Sequence, residues 1–211
     1  MEKIKISQAK EDLKRDLEKY KELALSMGAD KATIIKASDI PVDDRVVLKC
    51  QIPRCFGYGV SANCPPNTLK PAELREHLKK YSYAIVFMKE VLPDVIVRDK
   101  TTIKDRISAY KEIYQIVSKI ESKAFYDGHY LAFGFGAGSC RHTFCSQQET
   151  CIALEGEKCR FALISRPSME AVGIDVFKLA TQQGWDIYPI GSGAKACDVA
   201  KGVLAGIVIV E

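Results

Sequence analysis

The chain has 211 residues, of which 47% are hydrophobic and 27% charged, and its formal net charge is +4. These proportions are typical of a globular protein, and they exclude a disordered chain and a protein built from membrane-spanning helices. So small a net charge does not indicate nucleic acid as a partner. The N-terminal segment is charged from its second residue and lacks the apolar core of a signal peptide, so we expect a cytoplasmic protein.

The first third of the chain predicts one helix, one strand and one long loop. Apolar residues recur every three to four positions over residues 7–27, with Ser7 as N-cap and Gly28 as stop, which predicts a helix. Residues 32–37 predict a short strand. Residues 38–69 contain four of the eight prolines and three cysteines, and they predict an irregular loop.

The rest of the chain alternates between predicted helices and strands. Pro71 opens a helix, and the continuous apolar run 83–88 predicts a buried strand. Residues 102–126 predict a long helix whose inward residues are Ile103, Ile107, Tyr110, Tyr114, Val117 and Ile120. A strand at 130–135, a helix at 169–183 with Ser168 as N-cap, and strands at 186–190 and 203–210 complete the order.

This alternation predicts an α/β fold, with helices layered on a sheet, over a single domain of residues 1–211. Two irregular cysteine-rich inserts, at about residues 50–66 and 138–160, lie outside the regular frame. They hold most of the chain's eight cysteines. A cytoplasmic chain of this length buries an adequate core without disulfides, so the cysteines call for another explanation.

Seven of the cysteines form two groups, and the eighth stands alone. The groups are Cys50-x4-Cys55-x8-Cys64 and Cys140-x4-Cys145-x5-Cys151-x7-Cys159, while Cys197 precedes the last strand. Spaced thiolates in irregular loops, with a proline directly after Cys64, favour iron–sulfur ligation. Zinc is an alternative, although its structural sites usually draw on tight Cys-x2-4-Cys pairs, and inert or disulfide-bonded cysteines are a third.

Three segments resemble a known family. Residues 49–59 (KCQIPRCFGYG) followed by Cys64-Pro-Pro, residues 136–140 (GAGSC), and residues 166–180 (RPSMEAVGIDVFKLA) resemble a prokaryotic family of predicted metal-binding proteins with two cysteine clusters, filed as a domain of unknown function. The similarity covers nearly the whole chain. It implies a bound metal and no particular reaction.

We therefore expect a protein that binds one or two [4Fe–4S] clusters and acts in electron transfer or a redox step, with a redox partner protein. The expected ligands are Cys140, Cys145, Cys151 and Cys159 at one site and Cys50, Cys55, Cys64 and Cys197 at the other. Two alternatives stay open. One is an enzyme that binds its substrate at an open-coordination [4Fe–4S] cluster, and the other is a zinc-stabilised interaction protein.

Overall fold

The described part of the chain forms seven α-helices and four β-strands. A computed structural model describes residues 10–97, 103–191 and 193–211. Within these ranges the helices are α1 (Lys10–Ser26), α2 (Asp44–Gln51), α3 (Pro71–Leu78), α4 (Pro93–Val97), α5 (Ile103–Asp127), α6 (Cys140–Phe144) and α7 (Val176–Gln182). The strands are β1 (Lys31–Lys36), β2 (Tyr83–Val91), β3 (Phe133–Phe135) and β4 (Gly202–Val210).

The four strands form one antiparallel sheet in the order β1-β2-β4-β3. The last strand of the chain therefore lies inside the sheet, between β2 and β3. Both inner strands are almost wholly apolar because each face of the sheet is covered by protein.

Alternate residues of β2 and β4 feed two separate apolar clusters, one on each face of the sheet. Ile85, Phe87 and Val208 pack against α1 and α5. On the other face, the residues that alternate with them pack against α3, α7 and the segment that joins β3 to α7. The layered arrangement of helices on a sheet is thus confirmed. None of the described helices is both long and apolar enough to cross a membrane.

Most predicted elements are confirmed, with small shifts at their ends. The first helix, the strands near residues 32, 83 and 203, and the helices that begin near residues 71 and 102 are all present. The predicted N-cap Ser7 lies outside the described residues. Ile103 was predicted to face inward, but it is 70% exposed because it lies at the first described turn of α5.

The predicted loop 38–69 contains a helix, so that prediction is wrong in part. α2 begins where the Asp43 carboxylate accepts a hydrogen bond from the Arg45 amide at 2.8 Å. The eight residues of α2 contain no proline, and the prolines that suggested a loop lie outside it. Cys50 consequently lies in the last turn of a helix.

The predicted helix 169–183 is interrupted. A 3-10 turn at Glu170–Val172 ends at Gly173, whose φ of +90° is left-handed, and α7 begins only after Asp175 caps it. Ser168 caps the short turn, because its hydroxyl accepts a hydrogen bond from the Ala171 amide.

Two further strand predictions are corrected. The strand predicted at residues 130–135 is formed only at Phe133–Phe135, because the preceding residues complete a turn in which the Ala132 amide donates to the His129 carbonyl. Residues 186–190 form no strand, since they pair with no neighbouring strand.

Candidate metal centre

The first cysteine group lies at the end of α2 and in the turns that follow it. The Cys55 amide donates to the Cys50 carbonyl at 2.9 Å, which continues the helical path beyond α2. The Gly57 amide points at the Cys55 sulfur, at an N–S distance of 3.4 Å. Cys64 is buried, and it ends a turn that its own amide closes onto the Ser61 carbonyl. Backbone amides directed at sulfur stabilise a thiolate, as they do in metal–thiolate sites.

The three thiols of this group interact with one another. Burial raises the pKa of Cys50 to about 11, and the neighbouring Cys55 and Cys64 add to the shift because two thiolates repel. Without a metal, Cys50 is therefore a neutral thiol at pH 7. A metal ion would have to displace its proton, and its positive charge would remove the repulsion between the thiolates.

Cys140 lies next to this group, although it belongs to the second motif. Its sulfur accepts a hydrogen bond from the Asn63 side chain at 3.5 Å, and the adjacent Ser139 hydroxyl is 3.5 Å from the Cys64 sulfur. Burial raises the pKa of the Cys140 thiol, which also interacts with Cys64. The two cysteine segments are thus packed together, and Cys140 lies where they meet.

Aromatic and polar contacts complete this junction. The rings of Phe56 and His142 meet edge to face with centroids 4.7 Å apart, one from each segment. The Asn63 amide also donates to the Ser165 hydroxyl at 2.7 Å.

The second group consists of Cys145, Cys151 and Cys159. Burial and then the nearby Cys159 raise the pKa of Cys145, while Arg141 and Arg160 partly offset the shift. The Phe161 amide points at the Cys159 sulfur at 3.4 Å, which repeats the amide–sulfur contact of the first group.

The basic residues around the second group also hold its loop together. Arg141 donates to the backbone carbonyls of Gln148 and Glu149, and Arg160 donates to that of Thr150. These arginines therefore fix the backbone between Cys145 and Cys151 as well as supplying positive charge near the thiols.

Cys197 lies apart from both groups. It is exposed in a 3-10 turn at Ala196–Asp198, and its sulfur is 3.6 Å from a carboxylate oxygen of Asp198. It does not line the cavity that Cys50, Cys55 and Cys64 share.

All eight cysteines are free thiols. Within the described ranges, no group of three or more His, Cys, Asp or Glu side chains is placed to hold a metal ion. The donor chemistry nevertheless fits a thiophilic metal, because each group brings three thiols into one neighbourhood and directs a backbone amide at a sulfur. The thiols of each group therefore lie near one another, but they do not form a complete set of metal ligands.

A cavity of about 730 Å³ opens beside the first group. Cys50, Cys55 and Cys64 line one part of it, and the remainder is mostly apolar, with Tyr110 and Phe177 among its aromatic residues. Its size is within the range of pockets that hold small organic ligands.

Glu170 lines the same cavity and did not emerge from the sequence analysis as a site residue. Its signal was a single charged residue within the otherwise apolar stretch Met-Glu-Ala-Val of the motif at 166–180. That stretch is predicted as an ordinary helix start, so nothing local indicated that this carboxylate lines a cavity beside the cysteines.

Comparison with known proteins identifies the family. The family described as "Predicted metal-binding protein (DUF2284)" matches residues 33–205, which include both cysteine groups, Glu170 and Cys197. The chain belongs to this family. As a member, it is expected to bind metal through residues within that range. Neither a curated protein nor a solved structure matches the chain.

Proposed function

We propose that the protein binds iron–sulfur clusters at its two cysteine groups and uses them in electron transfer or a redox step. The observation that carries this proposal is the gathering of Cys50, Cys55 and Cys64 beside one cavity, with a second trio around Cys145. Each trio lies in irregular backbone with an amide directed at sulfur, an environment that iron–sulfur clusters use to tune their potential.

The proposed second site is Cys140, Cys145, Cys151 and Cys159. Cys140 and Cys145 lie at the two ends of the short helix α6, so a small movement of its first turn decides which group Cys140 joins. The proposed first site contains Cys50, Cys55 and Cys64. The sequence predicts Cys197 as its fourth ligand, whereas Cys197 is exposed and does not line the shared cavity.

A second candidate function is an enzyme that binds its substrate at an iron of the first cluster. The adjoining cavity favours it, because a pure electron carrier has no need of a pocket of this size. When bound, such a cluster would supply a Lewis-acidic iron that polarises a substrate oxygen or sulfur. Arg45 and Asp43 lie at the cavity and pair with each other through three side-chain nitrogen–oxygen contacts, so they bring little net charge to it.

The test is purification of the full chain without oxygen, followed by iron, sulfide and zinc analysis and a visible spectrum. Two cubane clusters require about eight iron and eight sulfide per chain. Cys64→Ser and Cys159→Ser should each lose about half of the iron, because each removes a ligand from one site only. A colourless protein with stoichiometric zinc would contradict the iron–sulfur proposal and favour the zinc-stabilised interaction protein.

Adding cyanide or a thiol separates the two candidate functions. Either reagent binds an iron that lacks a thiolate ligand, and the spin-resonance spectrum of the reduced protein then changes. A spectrum that changes favours the enzyme, whereas an unchanged spectrum favours the electron carrier.

A further inference from the structure

The Glu170 carboxyl group opens onto the cavity that Cys50, Cys55 and Cys64 line. It belongs to the first residue of the 3-10 turn Glu170–Val172, and the residue is exposed although its neighbours Met169 and Ala171 are buried. The turn therefore directs one acidic side chain out of an apolar segment and into the cavity.

The backbone on the C-terminal side of this turn is fixed to α2, the helix that carries Cys50. The Asp43 amide donates to the Gly173 carbonyl at 2.8 Å, and the Asp175 amide donates to the Pro41 carbonyl at 2.9 Å. A side chain at Gly173 would collide with Pro71, so the turn fits closely against this part of the molecule. These contacts consequently fix the position of the turn that carries Glu170 relative to the start of α2.

The N-terminal side of the turn is fixed to the segment that leads to Ser139. The Gly136 amide donates to the Pro167 carbonyl at 2.9 Å, and the Met169 amide donates to the Gly136 carbonyl at 3.1 Å. The buried Tyr114 interacts electrostatically with both Glu170 and Cys64, so the carboxyl group and that thiol lie in one neighbourhood.

The Glu170 carboxyl group has hydrogen-bond partners but no ion-pair partner among the described residues. Glu170 accepts hydrogen bonds from the Ser168 hydroxyl and from its own backbone amide, and no described basic side chain forms an ion pair with it. Desolvation by the nearby protein is the main cause that raises the pKa of the Glu170 carboxyl group. Glu170 also adds to the rise in the pKa of Cys50. Three thiols and one carboxyl group therefore share the cavity, and a bound cation would relieve the cost of ionising all four.

We propose that the Glu170 carboxylate is the fourth ligand of the metal site formed by Cys50, Cys55 and Cys64, in place of Cys197. The proposal rests on metal binding at this group, which is part of the proposed function, but not on electron transfer or on the identity of the metal. A carboxylate binds a soft metal more weakly than a thiolate does. A molecule in the cavity would therefore displace Glu170 more readily than it would displace a cysteine.

Cobalt titration tests the ligand set whatever the natural metal is. The background is the full-length apo-protein carrying Cys151→Ser and Cys159→Ser, which removes the second site. Cobalt absorption in the visible reports coordination geometry, and the sulfur-to-cobalt bands in the near ultraviolet report the number of thiolates. Glu170→Gln should weaken cobalt binding at least tenfold, since even the loss of an indirect partner of a metal ligand costs about 10-fold to 100-fold in affinity. It should also shift the visible bands.

Two control variants sharpen the comparison. Asp175→Asn changes another carboxylate that lines the cavity, and asparagine keeps the ability to cap α7, so cobalt affinity should stay as in the background protein. Cys197→Ala should likewise leave affinity and spectrum unchanged. A loss caused by Cys197→Ala, or equal affinity and equal bands for Glu170→Gln, would overturn the proposal.

If Glu170→Gln does not fold, Glu170→Cys provides a second test of the ligand assignment. A thiolate at the ligand position should restore tight binding and increase the sulfur-to-cobalt absorption by about one third, from three thiolates to four. No increase in a folded Glu170→Cys protein would show that residue 170 does not reach the metal. If the native protein contains zinc and no iron while these results hold, the iron–sulfur proposal fails and the assignment of Glu170 stands.

Discussion

At the scale of single residues, Arg166 is the first residue of the motif at 166–180, and it forms an ion pair with a buried carboxylate. Its guanidinium Nε and Nη2 contact the carboxylate of Glu121 at 2.9 and 2.8 Å, and that carboxylate also accepts the Gly134 amide at 2.7 Å. Glu121 is 8% exposed. The arrangement fastens the segment before Ser168 to α5 and to β3, and so holds in place the backbone that leads to Glu170.

Arg166→Met tests this role. The substitution leaves the buried Glu121 carboxylate without its cation, and we expect the free energy of unfolding to fall by about 3 kcal/mol. Urea denaturation of the apo-protein at pH 7 measures it. The double variant Arg166→Met with Glu121→Met should regain part of the loss, because the unpaired charge is then gone, although the Gly134 amide remains without its acceptor. A loss below about 1 kcal/mol in the single variant would mean that water compensates the carboxylate.

At the scale of elements, the cysteine segments differ from the sheet in what orders them. β2 and β4 are in antiparallel register over nine residue pairs and are covered on both faces. The cysteine segments consist of turns, the end of α2 and the five-residue α6, and the second carries the exposed apolar side chain of Leu154. Such short elements gain little from their own hydrogen bonds, so a bound metal would supply much of their stability.

Hydrogen exchange on metal-loaded and metal-free protein measures this difference. Removal of the metal should reduce amide protection in residues 50–64 and 140–159, while the amides of β2 and β4 stay protected and serve as the internal control. The reason is that metal binding contributes folding free energy only to the segments that it cross-links. Equal protection of both cysteine segments with and without metal would contradict the expectation.

At the scale of the whole molecule, the charge balance depends on the metal. The formal net charge of +4 counts every cysteine as a neutral thiol. A [4Fe–4S]2+ core bound by four thiolates contributes about −2, so two such sites would bring the protein to about zero. The modest basic excess of the sequence then balances the bound clusters and need not indicate an acidic partner.

Native electrophoresis without oxygen tests this balance. The loaded protein should migrate less toward the cathode than the apo-protein at pH 7, by about two charges per four-thiolate cluster. Zinc bound by four thiolates also contributes about −2, so the mobility is read together with the iron analysis. Unchanged mobility after loading would contradict four-thiolate ligation, because a +2 core leaves the net charge unchanged only when it displaces two protons.

The sequence by itself determined the elements whose signal is local. The helical period of α1 and α5, the apolar runs of β2 and β4, and Pro71 at the start of α3 each depend on residues within a few positions of one another. The cysteine inventory and the resemblance to a metal-binding family also follow from the sequence alone. The sequence did not predict α2 within residues 38–69. The prolines around it suggested a loop, and its only start signal is the capping residue Asp43.

Only the tertiary structure decided which of these residues meet. The strand order β1-β2-β4-β3 brings the last strand of the chain between two earlier ones, and no local pattern contains that pairing. Cys140 lies beside Cys64, Cys197 lies on the surface, and Glu170 lines the same cavity as the first thiol group. The physical reason is that periodicity reports the face on which a side chain lies, whereas the neighbours of that face are set by strand pairing and by turns such as the one at Gly173.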